Sequence, residues 1–169
     1  MMRILAGRYK GRSIKTIQTQ SYRPTQSRIR KSLFDILGPL DGLTFLDLYA
    51  GSGIIGFEAA SRGAMKITFV EKQLLFVRLL SENTREFDDG LFKMLRQTAF
   101  HHLRDCGKYD IIFADPPYRS DELVELVKLS LEHITKNGRF ILESKKGAQL
   151  PVGADVRVYG DTQLNIWTL

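Results

Sequence analysis

The chain contains a single cysteine, Cys106, so no intramolecular disulfide can form and the reducing cytosol is the expected compartment. Cys106 lies in the loop-like stretch Asp105-Cys106-Gly107-Lys108 and reads as a bystander. No apolar run reaches the roughly 20 residues of a membrane span, and no signal peptide opens the sequence, so a membrane or secreted class is not expected. Only three histidines are present, His101, His102 and His133. None has metal-binding spacing to the cysteine or to a carboxylate cluster, so no metal is expected. There is no nucleophile–base triad, internal repeat or low-complexity tract. The sharpest deficit is local: residues 1–31 have no Asp or Glu, yet they carry Arg3, Arg8, Lys10, Arg12, Lys15, Arg23, Arg28, Arg30 and Lys31. Residues 32–169 hold the other 16 Lys/Arg and all 19 Asp/Glu, a net −3, so the chain's net charge of +6 comes from this arm. One-sided charge of this kind points to a polyanionic partner, with Arg3, Arg8, Lys10, Arg12, Arg23, Arg28 and Arg30 as the expected phosphate contacts.

The arm is patterned as well as basic. Apolar residues around two glycines between Arg3 and Lys15 suit a short hairpin. A helix is expected over Pro24 to Leu37, capped by Thr25 or Ser27, with Ile29, Leu33, Phe34, Ile36 and Leu37 on its apolar face. Residues 1–40 are therefore expected to form an extension packed on a domain spanning 41–169, the whole being one globular unit. In that domain strands are expected over 44–50, 66–71, 92–97, 109–115 and 138–144, alternating with helices over 54–62, 73–86, 98–104 and 121–134. Val156 to Tyr159 and Gln163 to Trp167, split by Gly160-Asp161-Thr162, read as a final antiparallel hairpin. The expected fold is α/β and Rossmann-like, a seven-stranded sheet covered by helices.

Two motifs fall at strand ends. The run Thr44 to Ala50 enters Gly51-Ser52-Gly53-Ile54-Ile55-Gly56 and then a helix, and Glu71 ends the next strand, twenty residues after Gly51. Glycines allow left-handed backbone and close approach to a ligand, and a carboxylate at Glu71 can take both hydroxyls of a ribose. Taken literally, this spacing is a dinucleotide fingerprint, so an NAD-dependent oxidoreductase competes. Asp47 argues against it, because a carboxylate four residues before the first glycine would repel a pyrophosphate. It suits the ammonium of S-adenosylmethionine.

The second motif is Asp115-Pro116-Pro117-Tyr118, which follows the buried strand Tyr109 to Ala114. Open α/β sheets bind ligands at such strand ends. The chemistry suited is methylation of a planar amino nitrogen, whose lone pair is delocalised. The Asp115 carboxylate and Pro116 carbonyl can accept its two N–H bonds, the prolines stiffen the loop, and Tyr118 can stack on the base.

Taken in order, Arg3 to Arg12, Arg23-Pro24-Thr25, Arg28-Ile29-Arg30, Ser32-Leu33-Phe34, Leu46 to Gly53, Phe69-Val70-Glu71-Lys72, Asp115 to Tyr118 and Tyr159 to Thr162 resemble the RsmD family of small-subunit ribosomal RNA guanine-N2 methyltransferases. The resemblance spans nearly the whole chain and implies a class I methyltransferase fold. It implies methyl transfer from S-adenosylmethionine to the exocyclic N2 of one guanine in 16S rRNA, free or within an assembly intermediate, by a monomer. It implies Asp115, Pro116, Pro117 and Tyr118 around the base. Asp47, Tyr49, Ala50, Gly51, Ser52, Gly53, Glu71, Lys72, Thr98 and Ala99 are implied around the cofactor. Family members carry Asp or Asn before the alanine near the adenine, where this chain has Thr98, whose hydroxyl is expected to serve. Adenine-N6 nucleic-acid methylation and protein glutamine methylation suit the same proline motif. A catalytically inactive RNA-binding module is the rival from outside enzymology.

Overall fold

The computed structural model describes residues 1–17, 27–88, 90–117 and 122–169. A two-stranded antiparallel ladder opens the chain, β1 (Met2–Arg3) against β2 (Ser13–Ile14). Helix α1 (Ser27–Leu37) follows. The chain then alternates through β3 (Thr44–Leu48), α2 (Ile54–Ser61), β4 (Lys66–Val70), α3 (Leu74–Thr84), β5 (Phe92–Leu95), α4 (Ala99–Leu103), β6 (Tyr109–Ala114), α5 (Leu123–Glu132) and β7 (Ile134–Lys145). Strands β8 (Asp155–Tyr159) and β9 (Thr162–Thr168) end it, joined by the two residues Gly160-Asp161.

The seven-stranded sheet has the order β5-β4-β3-β6-β7-β9-β8, with β9 antiparallel to both neighbours and the pairs among β3 to β7 parallel. The chain builds outward from β3 to β5, then restarts at β6 on the other side of β3. A cleft opens at that switch, beyond the C-terminal ends of β3 and β6. Alternate residues of each strand point to opposite faces. Phe45, Ile67, Phe69, Phe113, Ile141 and Leu164 pack one core with α1 and α2, and Leu46, Leu48, Ile112, Phe140, Leu142 and Trp167 pack the other against α4 and α5.

Every residue of α2 is buried, because the arm covers its outer side. Glu58 accepts the backbone N–H groups of Leu5 at 2.8 Å and Ala6 at 3.1 Å. Ser61 accepts the N–H of Tyr9 at 2.9 Å and donates to the Ala6 carbonyl at 2.6 Å. The arm backbone lies so close that a Cβ on Gly7 would overlap the Ser61 carbonyl. Ile4, Tyr9 and Ile14 join the same core as Phe57 and Phe69, so cutting away residues 1–20 would open that core and could not leave the cofactor site untouched.

The domain also supplies counter-charges that the arm lacks. Arg8 pairs with Asp88 and Lys15 with Glu82 at 3.3 Å, while Lys31 pairs within α1 with Asp35 at 2.7 Å. Arg30 is 2% exposed, donates to the Arg3 carbonyl at 2.7 Å and lies 3.7 Å from Glu58. At the other end of α1, Arg139 of β7 donates to the Ile36 and Leu37 carbonyls at 3.0 and 2.7 Å, satisfying acceptors that the helix leaves open.

Two element ends differ from expectation for backbone reasons. Strand β3 stops at Leu48 because Tyr49 turns to a φ of 61°. Strand β7 starts early, at Ile134, and absorbs Asn137 (φ 66°) in a register slip opposite Tyr109 to Ile111, a bulge that sequence periodicity does not reveal.

Candidate cofactor and substrate site

Three carboxylates meet at the C-terminal edge of the sheet, one each from β3, the end of β4 and the end of β6. Asp47 is 2% exposed, and its Oδ2 accepts the Gly56 N–H at 3.1 Å, tying strand to helix across the glycine loop. Burial holds its carboxyl well above the usual range; the Gly56 N–H opposes this, and the charges of Asp115 and Glu71 add to it. Gly56 itself has no room for a Cβ, which would run into Phe69, so α2 lies close over β4 and the loop is short.

Glu71 is held by the loop from both sides. Its Oε2 accepts the Gly51 N–H at 3.1 Å and its Oε1 accepts the Gln73 N–H at 2.8 Å. Each carboxylate oxygen retains a second lone pair, so the group is oriented yet able to accept the two hydroxyls of a ribose. The loop is braced from behind. Ala50 donates to the Val70 carbonyl at 3.2 Å, and Gly53 to the Ala50 carbonyl at 2.8 Å. The buried Asn83 donates to the Ser52 carbonyl at 3.4 Å, and its side chain exchanges hydrogen bonds of 3.0 and 3.1 Å with the Lys15 backbone. Tyr49 and Gly53 adopt left-handed conformations, φ 61° and 80°; the tyrosine is unusual there, and such strain gathers at functional turns. Burial, with Glu122 nearby, pushes the Tyr49 hydroxyl up to about 12, so it stays protonated.

Asp115 follows Ala114, which sits between Leu48 and Leu142 in the sheet. Burial pushes its carboxyl up to about 7. Pro116 is buried behind it and Pro117 exposed. Tyr118 lies outside the described residues. Lys72 is exposed beside Glu71, and Ala99 is buried at the start of α4. Thr98 is exposed, and its Oγ1 accepts the His101 N–H at 3.1 Å as the cap of α4, which leaves its proton and one lone pair for a ligand.

The basic candidates separate into two groups. Arg3, Arg8, Lys10 and Arg28 are exposed, and Arg12 is half-buried. Arg8 and Arg12 stack on Tyr9 with 4.8 and 5.0 Å from guanidinium to ring centre, and Arg12 also covers Phe87 at 5.0 Å. Stacked guanidinium groups present their N–H edges outward at little entropic cost. Arg30 is not on this surface; its guanidinium fastens α1 to the first turn of the arm. Arg23 lies outside the described residues.

A cleft with three mutually repelling carboxylates favours a cationic ligand and disfavours an added pyrophosphate. A sulfonium or ammonium carried by a ribonucleoside fits both the charge and the placement of Glu71. The sequence reading missed Gln97. Its backbone N–H and that of Glu71 donate to one carbonyl, that of Leu95, at 3.2 and 3.1 Å.

A family model described as Conserved hypothetical protein 95 matches residues 2–167. A protein of Bacillus subtilis named as a putative rRNA methyltransferase is 33% identical over 89% of this chain and 86% of its own length. The ribosomal RNA small subunit methyltransferase D of Buchnera aphidicola from Acyrthosiphon pisum is 32% identical over 92% of this chain and 84% of its own. A solved structure of a putative methyltransferase from Escherichia coli superposes with a TM-score of 0.87 at 28% identity, covering 99% of this chain and 97% of that one. The sheet order, the cleft at the β3–β6 switch and the antiparallel last hairpin are those of the class I methyltransferase fold.

Proposed function

We propose that this chain, which belongs to the Conserved hypothetical protein 95 family, the RsmD family, transfers a methyl group from S-adenosylmethionine to the exocyclic N2 amine of a guanine in 16S ribosomal RNA. The observation that carries the reading is the meeting of Asp47, Glu71 and Asp115 at one sheet edge beside two prolines, in a chain whose N-terminal arm is basic. The names of the relatives supply the substrate class.

The cofactor supplies an electrophilic methyl on a cationic sulfur; the residues do the rest. Glu71 holds the ribose through lone pairs left free by Gly51 and Gln73. Asp47 fixes the loop through Gly56 and offers negative charge to the ammonium. The Asp115 carboxylate and Pro116 carbonyl accept the two amine hydrogens, turning the nitrogen lone pair toward the methyl. The amine becomes more acidic as its nitrogen attacks, and the Asp115 carboxylate, in its ionised form, is placed to stabilise that charge. Tyr118 supplies the stacking surface for the base, and Arg3, Lys10, Arg12 and Arg28 take phosphates.

The test is mass mapping of 16S rRNA, naked and in small-subunit particles, from cells lacking the protein and after incubation with purified protein and S-adenosylmethionine. The expected product is one additional methyl on guanine N2. Methyl on adenine N6, or on a protein glutamine with no RNA product, would replace this reading with the corresponding alternative. In thermal melts S-adenosylmethionine and S-adenosylhomocysteine stabilise the protein and NAD does not. Stabilisation is about 2.7 kcal/mol at a hundredfold excess over Kd.

A further inference from the structure

We infer that Gln97, held by His102, is the residue that recognises the adenine edge of the cofactor, in place of the acid or amide that this chain lacks at Thr98. The inference rests on the cofactor reading above and adds to it the residue that selects the base.

Gln97 is placed for the role. It leaves the end of β5 and shares the Leu95 carbonyl with Glu71, so its backbone is a direct neighbour of the backbone of the residue proposed to take the ribose. For Gln97 to serve, a nucleoside held at Glu71 by its sugar must lay its base over the end of β5, the strand beside β4. The single hydroxyl of Thr98, which also caps α4, cannot present the paired donor and acceptor of an amide edge. Gln97 is half-buried, so part of its amide is open to a ligand or solvent.

Its side chain is also oriented. The Gln97 Nε2 lies 2.8 Å from His102 Nδ1, and His102 Nε2 lies 3.2 Å from the Tyr109 hydroxyl, which in turn bonds Thr68. His102 is buried at the base of α4, and burial lowers its pKa, so the ring is neutral at neutral pH. With its proton on Nε2 facing Tyr109, Nδ1 accepts one hydrogen of the Gln97 amide. The second amide hydrogen and Oε1 then form a donor–acceptor edge. Adenine offers the complement, an N6–H donor next to a ring-nitrogen acceptor, the pairing that Gln makes with adenine in nucleic acids. Hypoxanthine places a carbonyl where adenine has the amine and sets two acceptors against each other.

The experiment is calorimetric binding of S-adenosylhomocysteine and of its hypoxanthine counterpart, S-inosylhomocysteine, to the full-length protein. The wild type is expected to prefer adenine by about 10- to 100-fold, the discrimination of one bidentate base contact. Gln97→Ala should bring the two affinities within about threefold, chiefly by weakening the adenine ligand. His102→Leu, which touches neither ligand, should narrow the ratio as well, as expected of a positioning residue. The ratio is internal to each protein, so a modest loss of stability does not alter it. An unchanged ratio in a folded Gln97→Ala protein would overturn the inference while leaving the cofactor reading intact. If neither ligand bound the wild type, the cofactor reading would fail and this inference with it.

Discussion

Asp115 should make the free protein lose stability as pH rises, and replacing it should remove that loss. Its carboxyl is held at about 7 in the folded chain against an ordinary value of 3.8, because burial penalises the charge. The folded state therefore binds this proton more tightly than the unfolded state does. Stability attached to the site is fully present below about pH 4 and is lost as pH climbs to about 7. A tenfold change in proton affinity is worth 1.36 kcal/mol, so the full loss is about 4 kcal/mol at most. Between pH 5 and pH 8 it is about 2 to 3 kcal/mol, since part of the fall precedes pH 5. For a chain of this size that corresponds to about 5 to 10 °C in melting temperature. The perturbation is Asp115→Asn, which keeps the shape and removes the titration. Melts without cofactor at pH 5 and pH 8 should show the variant gaining on the wild type by that amount at the higher pH. Asp47 contributes a slope of the same sign, which shrinks when the Asp115 charge is removed, so the difference between the two proteins reads both effects in one direction. A difference that stays constant between the two pH values would refute the assignment of a buried, reluctantly ionised acid at this position.

In single-turnover assays Asp115→Ala should slow methyl transfer on the order of 10² to 10³ while still binding S-adenosylmethionine, since it removes a preorganised acceptor. Tyr118→Ala should be severe and Tyr118→Phe nearly silent, because stacking is worth about 1–3 kcal/mol per base and needs only the ring; a large loss in Tyr118→Phe would give the hydroxyl a role. Glu58→Ala takes the acceptor from the Leu5 and Ala6 N–H groups and removes the carboxylate beside the buried Arg30, and should cost about 3–5 kcal/mol in urea unfolding. Arg28→Ala, on the exposed side of the same arm, should cost no more than about 0.5 kcal/mol. RNA affinity should fall with salt by a log–log slope of about 0.7 per contacted phosphate on single strands. Alanine at Arg3, Lys10 or Arg12 should each reduce that slope by about one contact, and salt-insensitive binding would remove the arm from the interface.

Much of this architecture is legible in the residues. Buried parallel strands such as β4 and β6 are short continuous apolar runs, and the glycine loop, Glu71 and the two prolines sit where those runs stop. The last hairpin is announced by two alternating runs around Gly160-Asp161. What escapes the sequence depends on partners far along the chain. The arm looks uncompensated because Glu82 and Asp88 are more than fifty residues from the cations they meet, and because Arg30 reads as one more surface charge until Arg3 and Glu58 close around it. The β7 bulge at Asn137 is a backbone event with no periodic trace. Gln97 carries no motif; its meaning comes from a shared carbonyl on β5 and a histidine five residues on, neither of which spacing identifies.

The strand order at the C-terminal end has a consequence for how the chain is assembled. Strand β9, although made after β8, lies between β8 and β7, so β8 has no edge to join until β9 exists. During synthesis the outer edge of β7 stays open, with Phe140 and Leu142 still lacking the strand that carries Trp167, until residues 162–168 have left the exit tunnel. An open edge flanked by apolar side chains is a template for pairing with another chain. A stop codon anywhere before Thr162 therefore removes two strands rather than one and leaves a sticky product. The cell's quality control should meet such fragments as aggregates or proteolytic substrates and not as weakened enzyme.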